Sequence, residues 1–247
     1  MTSPSASSRR RTPLRPLAGA LAGALAGVVL LAGCSGGDES QAADEQTPEE
    51  VLAAAADTLA GTSGVDLTLS TEDLPQGVSG ITRAEGVATS APAFEGTITV
   101  IYAGQSVDVP VVAVDKVVYA QLPFTTGYQD IDPGDYGAPD PAALVSEETG
   151  FGSLLAVTEG VEEGETVRGG TDNTEVLTTY TGTVPGAAMK KVIPSSSGDS
   201  FEAEYLVSED GELRQAVLTG VFYKDSAEMT YTVDLADYGT TRDIVAP

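Results

Sequence analysis

The chain contains no histidine and no tryptophan, and Cys34 is its only cysteine. Ser-His-Asp and Cys-His catalysis, zinc sites and haem ligation therefore lack their usual parts. Neither a Gly-x-Gly-x-x-Gly turn nor a Walker loop occurs. The abundant titratable groups are carboxylates, 37 in all. A carboxylate pair could hydrolyse a glycoside, but such clefts stack sugars on aromatics, and Phe, Trp and Tyr make up only 6% of this chain. No Asp-x-Asp-x-Asp-Gly calcium loop is present. Acids such as Asp130, Asp132 and Asp135 read as a solvated loop face. The expectation is a protein that is not an enzyme, with no cofactor and no metal.

Cys34 has a chemistry of its own. Arg9, Arg10, Arg11 and Arg15 precede an uncharged stretch from Leu17 to Gly33, the basic and apolar regions of a signal peptide. The stretch ends in Leu31-Ala32-Gly33-Cys34, the small residues that a lipoprotein signal peptidase requires before a cysteine to be acylated. A plain N-terminal transmembrane helix is the alternative, but the apolar run is short, rich in glycine and followed by a polar linker. Residues 1–33 are thus expected to be a signal peptide, and residues 34–46 a lipidated cysteine with a flexible tether. Residues 47–247 are expected to be the folded domain. Two or three acyl chains on Cys34 would hold it stably on the extracytoplasmic side of the cell membrane, at about 0.8 kcal/mol per buried methylene.

Removing residues 1–33 takes away four arginines, leaving eight basic residues against 37 acidic ones, a formal charge of −29. A surface so acidic excludes a generic grip on nucleic acid or on anionic lipid. It also keeps a protein soluble, which is reading enough for most of those acids.

Order is expected from Thr47, where Thr47-Pro48-Glu49-Glu50 forms a capping box ahead of an alanine-rich helix, Val51 to Leu59, stopped near Gly61. The period then changes to two. Val65, Leu67 and Leu69 alternate with polar neighbours. Further strands are expected at Ile81–Thr89, Ala93–Tyr102, Ser106–Val114, Lys116–Leu122, Thr174–Val184, Ser200–Val207, Leu213–Tyr223 and Ala227–Leu235. Ala103-Gly104, Asp115-Lys116 and the turn ending at Gly211 make hairpins of their neighbours. Short helices are expected at Asp140–Leu144, at Gly152–Thr158 and after Pro185. Too short to stand alone, they must lie on one face of an antiparallel sheet, giving an α+β domain.

The informative region is Phe94 to Leu122. Phe94, Ile98, Val100 and Tyr102 share one face with Val107, Val109 and Val111, then with Val118, Ala120 and Leu122, and Gly96 interrupts it. Periodicity alone fits an ordinary core. With few large side chains to fill it, the same face could instead border an apolar cavity for acyl chains.

The chain resembles the mycobacterial LppX/LprA/LprF/LprG lipoproteins of the actinobacterial envelope over nearly the whole mature part. The resemblance is carried by Asp115-Lys116-Val117-Val118-Tyr119-Ala120-Gln121-Leu122, by Tyr136 with Asp140-Pro141-Ala142-Ala143-Leu144-Val145, and by Thr149-Gly150-Phe151-Gly152-Ser153-Leu154-Leu155. It implies a strongly curved antiparallel half-barrel with short helices on its concave face, enclosing a hydrophobic cavity for the alkyl chains of lipids or lipoglycans carried through the envelope. On that mapping the face from Ile98 onward forms one wall. Leu144, Leu154, Leu155 and Val157 contribute from the helices, and an envelope transporter becomes a partner class for handover. Tyr128 stands where the family usually has Trp or another bulky residue, so headgroup specificity does not transfer. A non-catalytic interaction or assembly protein with a filled core is the rival expectation.

Overall fold

A computed structural model describes residues 46–170 and 173–247. The expected signal peptide, Cys34 and the tether up to residue 45 lie outside the described residues.

Thr47 caps the first helix, α1 (Pro48–Gly61). Its hydroxyl accepts from the Glu50 N–H at 3.3 Å while the Glu50 carboxylate accepts from the Thr47 N–H at 2.8 Å, so the capping box is formed. Two further helices follow, α2 (Gly152–Ala156) and α3 (Gly186–Val192). Pro133–Tyr136 and Pro141–Ala143 are 3-10 turns, the second capped by Asp140, whose carboxylate accepts from the Ala142 N–H. A short proline-led segment there closes one tight turn rather than the helix expected over 140–144.

The strands are β1 (Gly64–Ser70), β2 (Gly80–Thr89), β3 (Ala93–Tyr102), β4 (Gln105–Val114), β5 (Val117–Ala120), β6 (Gln129–Ile131), β7 (Glu159–Gly169), β8 (Glu175–Pro185), β9 (Ser200–Ser208), β10 (Leu213–Gly220) and β11 (Met229–Ala236). They form one open antiparallel sheet, in the order β6-β5-β4-β3-β2-β1-β11-β10-β9-β8-β7. Two meanders, β1 to β6 and β7 to β11, are therefore joined side by side where β1 pairs with β11, Leu67 opposite Leu235 and Leu69 opposite Val233. The hairpin turns have the left-handed backbone that two-residue loops require, with Ala103 and Gly104 at φ 50° and 77° and Asp115 and Lys116 at 54° and 66°.

Register aligns one apolar face across the whole sheet. Val118 lies opposite Ala113, which lies opposite Phe94, then Ala88, then Val65. On the other meander Val233 faces Ala216, Ala216 faces Tyr205 and Tyr205 faces Tyr180. With Leu52, Leu59, Leu144, Phe151, Leu154 and Met189 from the helices and turns, these side chains make one continuous core on the concave side. The helical cover is divided. The Pro141–Ala143 turn rests on β2, β3 and β4; α1 reaches β7 and β10; α3 lies on β8 and β9.

The convex face carries the C-terminal tail. Gly239 N–H donates to the Gly64 carbonyl and the Thr62 hydroxyl, Arg242 pairs with Glu95 at 2.8 Å, and Ile244 packs on Ala93 and Val112.

Candidate functional site: an apolar sheet face half open at one end

Alternation makes the concave face apolar, but the strands fill it unevenly. Toward one end of β2 to β5 the residues are fully enclosed. Phe94, Ala113 and Ala120 expose at most 1% of their surface, and Val109, Val111 and Val118 remain below 9%. The Pro141–Ala143 turn lies over this part, with Leu144 following it into the core, while Leu154 and Leu155 are buried in the same core on α2, which packs on α1 and α3. Toward the other end, Ile81, Ile98, Val100, Val107 and Leu122 pack against the core yet stay only partly buried, and Leu74 of the β1–β2 loop joins them; Ile131, also partly buried, lies instead opposite Val118 at the edge of the enclosed part. Register places them together, Ile81 opposite Val100 opposite Val107, and Ile98 opposite Val109. The face expected from sequence is thus one surface with a closed part and a half-open part.

Two residues expected to line it do not. Tyr102 is 71% exposed because it is the last residue of β3, beyond the reach of any covering element. Val157 is 42% exposed because α2 ends at Ala156, and at φ −111° the chain has left the helical path that would have turned its side chain inward. Asp130, Asp132 and Asp135 lie on the exposed surface, and Asp132 is used locally to cap the Gly134 N–H at 2.8 Å.

Sequence reasoning noted Gly96 as a gap in the face but missed what fills it. Gly96 faces Gly86 across the ladder, and the Phe94 ring is folded over both. A methyl group on Gly86 or Gly96 would come within 2.7 and 2.6 Å of that ring. The same device recurs where Phe201 covers Gly220 and Tyr223 covers Gly80. A strand glycine opposite a residue that neighbours an aromatic is the signal that could have revealed it.

Polar groups brought into the interior are paired. The Ile81 N–H donates to the Tyr223 hydroxyl at 3.2 Å, Tyr223 donates to the Tyr231 hydroxyl at 2.8 Å, and Tyr231 donates to the Ile81 carbonyl at 2.7 Å. This closed ring sits at the irregularity in β2 between Ile81 and Arg83 and ties β2 to β11 past the end of β1. Deeper in, Thr158 donates to the Leu154 carbonyl at 2.7 Å and accepts from the Tyr205 hydroxyl at 2.9 Å. Burial pushes the Tyr205 phenol up to about 12, and that of Tyr231 further still, so both stay neutral hydrogen-bonding groups. None is arranged to move protons for a substrate.

Two grooves on the convex side offer different chemistry. In one, Arg214 is held bidentate by Glu175 at 2.7 and 2.9 Å and by Glu212 at 2.9 Å, and it sits 5.6 Å from the Tyr238 ring centre. Its charge is thereby spent within the fold. In the other, Glu85, Glu95 and Arg242 surround the outer side of the glycine pair. Among the described residues no group of three or more acidic or thiol side chains is placed to hold a metal ion.

The sequence profile of the LppX_LprAFG lipoproteins matches residues 47–244. The lipoarabinomannan carrier protein LprG of Mycolicibacterium hassiacum is 30% identical over 234 residues, covering 92% of this chain and 96% of that protein. Among solved structures, LprF from Mycobacterium bovis superimposes with a TM-score of 0.63 at 13% identity, over 81% of this chain and 96% of that one. LppX from Mycobacterium tuberculosis gives 0.57 at 16% identity, over 80% and 98%. Both share the fold.

Proposed function

Because this chain belongs to the LppX_LprAFG lipoprotein family, we propose that it is a non-catalytic, membrane-anchored envelope protein that takes the acyl chains of a lipid or lipoglycan onto its concave face and carries them across the envelope. The carrying observation is the half-open stretch of that face, where Ile81, Ile98, Val100, Val107 and Leu122 present aliphatic surface continuous with the core but not covered by it. An acyl chain seated there exchanges bilayer for an environment of similar polarity. Little net energy is gained. What the site removes is the barrier of about 0.8 kcal/mol per methylene that the chain would meet in water. The naming of one relative as a lipoarabinomannan carrier supports a glycosylated lipid as the cargo class.

In this reading acylated Cys34 is the anchor and residues 35–46 are the leash, which at roughly 3.5 Å per extended residue reaches about 40 Å. The domain would therefore load at the membrane without leaving it. The acidic surface disfavours approach to anionic membranes, directing handover to a transporter or a neutral or glycosylated acceptor.

Native mass spectrometry of residues 35–247, purified without acylation from a lipid-rich host, tests the reading. Co-purifying di- or triacyl lipid is expected, and it should be lost when Ile98→Trp fills the half-open stretch. A clean protein mass that also refuses added lipid would replace this reading with that of an interaction protein whose core is simply filled.

A further inference from the structure

The two convex grooves differ in how far their polar groups are satisfied. Arg214 engages both oxygens of Glu175 and one of Glu212, so its groove is saturated from within. The groove beside the glycine pair is not. Arg83 reaches Glu85 at 2.9 Å and Arg242 reaches Glu95 at 2.8 Å, each through the carboxylate's Oε2, and among the described residues neither Oε1 has a partner. The Thr97 and Tyr128 hydroxyls, which line the same groove, are equally unpaired among the described residues.

Register explains why these groups converge. Glu85 lies opposite Thr97 and Thr97 opposite Pro110, so a carboxylate, a hydroxyl and a proline ring form one row across β2, β3 and β4. Gln129 pairs with Ala120, which brings Tyr128 to the end of that row. With Glu95 and Arg242 beside them they bound a shallow groove of about 410 Å³. Asp130 and Asp108 stand exposed on the two flanking rows, Asp108 accepting from the Thr99 hydroxyl at 2.8 Å. The groove also lies at a margin. Residues 105–109 of β4 pair with β3 but, among the described residues, with no strand beyond, because β5 pairs with residues 111–114. Across this margin Val107, Val109 and Leu122 belong to the concave side, and Pro110 and Tyr128 to the groove.

We propose that this groove binds a neutral sugar residue, the glycan portion of a lipid whose acyl chains lie on the concave side of the same margin. A sugar ring has an apolar C–H face and a rim of hydroxyls that each donate and accept. The Tyr128 and Pro110 rings give surface to the first, while the free Oε1 atoms, the two hydroxyls and the remaining guanidinium N–H groups of Arg242 are partners for the second. An anionic ligand fits poorly, because Asp108 and Asp130 flank the groove. A cationic one fits poorly because both lining carboxylates already hold a guanidinium. Binding of the sugar stands on the groove alone; its attachment to a lipid rests on the carrier reading.

The test uses the unacylated chain of residues 35–247, which contains every strand and core residue described. Titrated with mannotriose, maltotriose and xylotriose in turn, it is expected to bind at least one at about millimolar strength. Amide NMR shifts should appear at Thr97 and Tyr128 and not at Arg214 or Tyr238. Tyr128→Ala, whose spectrum also reports whether the fold is kept, should weaken that binding roughly tenfold and leave uptake of sugar-free diacylglycerol unchanged. Ile98→Trp should do the reverse. In the unaltered chain a monoglycosyl diacylglycerol should be preferred to diacylglycerol about tenfold, a preference that Tyr128→Ala removes. No shift at the groove with any of the three sugars, or shifts with tetralysine alone, overturns the glycan site, and lipid uptake by that same chain leaves the carrier reading standing. Sugar binding at the groove by a chain that takes up no lipid upholds the site and overturns the carrier reading.

Discussion

At the scale of single residues the interior is governed by a few aromatic side chains. Tyr231 contacts Phe222 edge-on at 4.8 Å and delivers its hydroxyl to the Ile81 carbonyl, completing the ring with Tyr223. Tyr231→Phe keeps the packing and leaves that carbonyl and the Tyr223 hydroxyl short of a partner. It should cost about 1–3 kcal/mol, read by denaturant unfolding, and Tyr223→Phe should add much less on top of it than alone. Full additivity would show that the three groups do not act as a unit. The period-two pattern made the inward direction of Phe94, Val109, Val111 and Val118 legible from sequence. Their degree of enclosure was not, because that depends on the Pro141–Ala143 turn, brought over from a distant segment. Nor could alternation show that Tyr102 lies past the last covering element.

At the scale of elements, strands with alternating burial were readable to within a few residues, as were the α1 capping box and the hairpin turns. β7 was not. Its sequence, Glu159 to Gly169, carries four glutamates and three glycines and no apolar alternation. The reason is its place: it is an edge strand, almost wholly exposed, paired only with β8 and interrupted by two register shifts. The glutamates that hide the strand from a pattern search also guard its free edge against pairing with another sheet. Replacing Glu163 and Glu165 together by Val and Thr should leave the fold intact and promote edge-to-edge association, seen as dimers or larger species in sedimentation velocity. A strictly monomeric variant would assign the guard to the register shifts instead. At the far side β6, three residues long, blunts the other edge by its shortness.

At the scale of the molecule, charge works against compactness. Asp66 shows it locally: burial, then the neighbouring Asp237, raise its carboxyl above the usual range. A carboxylate whose proton is held more tightly in the folded state weakens that state as pH rises through the carboxylate range. With a formal charge of −29 over residues 34–247, screening should matter throughout. The melting temperature at neutral pH is expected to climb as sodium chloride goes from low to physiological concentration, followed by circular dichroism. A flat profile would mean that the acids are spaced widely enough to ignore one another.

The seam between the two meanders sets the order in which the fold can be completed. Each meander is built from neighbours in sequence, hairpin after hairpin, and needs nothing distant. The middle of the sheet is different, since residues 66–70 of β1 must wait for residues 232–236 of β11. Until the last strand has been synthesised, β1 offers a bare edge at the centre of the future sheet, and its partner is the most remote strand in the chain. Loop closure over that span is slow compared with forming a hairpin. The two halves are thus ready early and the molecule late, so a chain interrupted before β11 would retain most of its local structure and lack the contact that joins it.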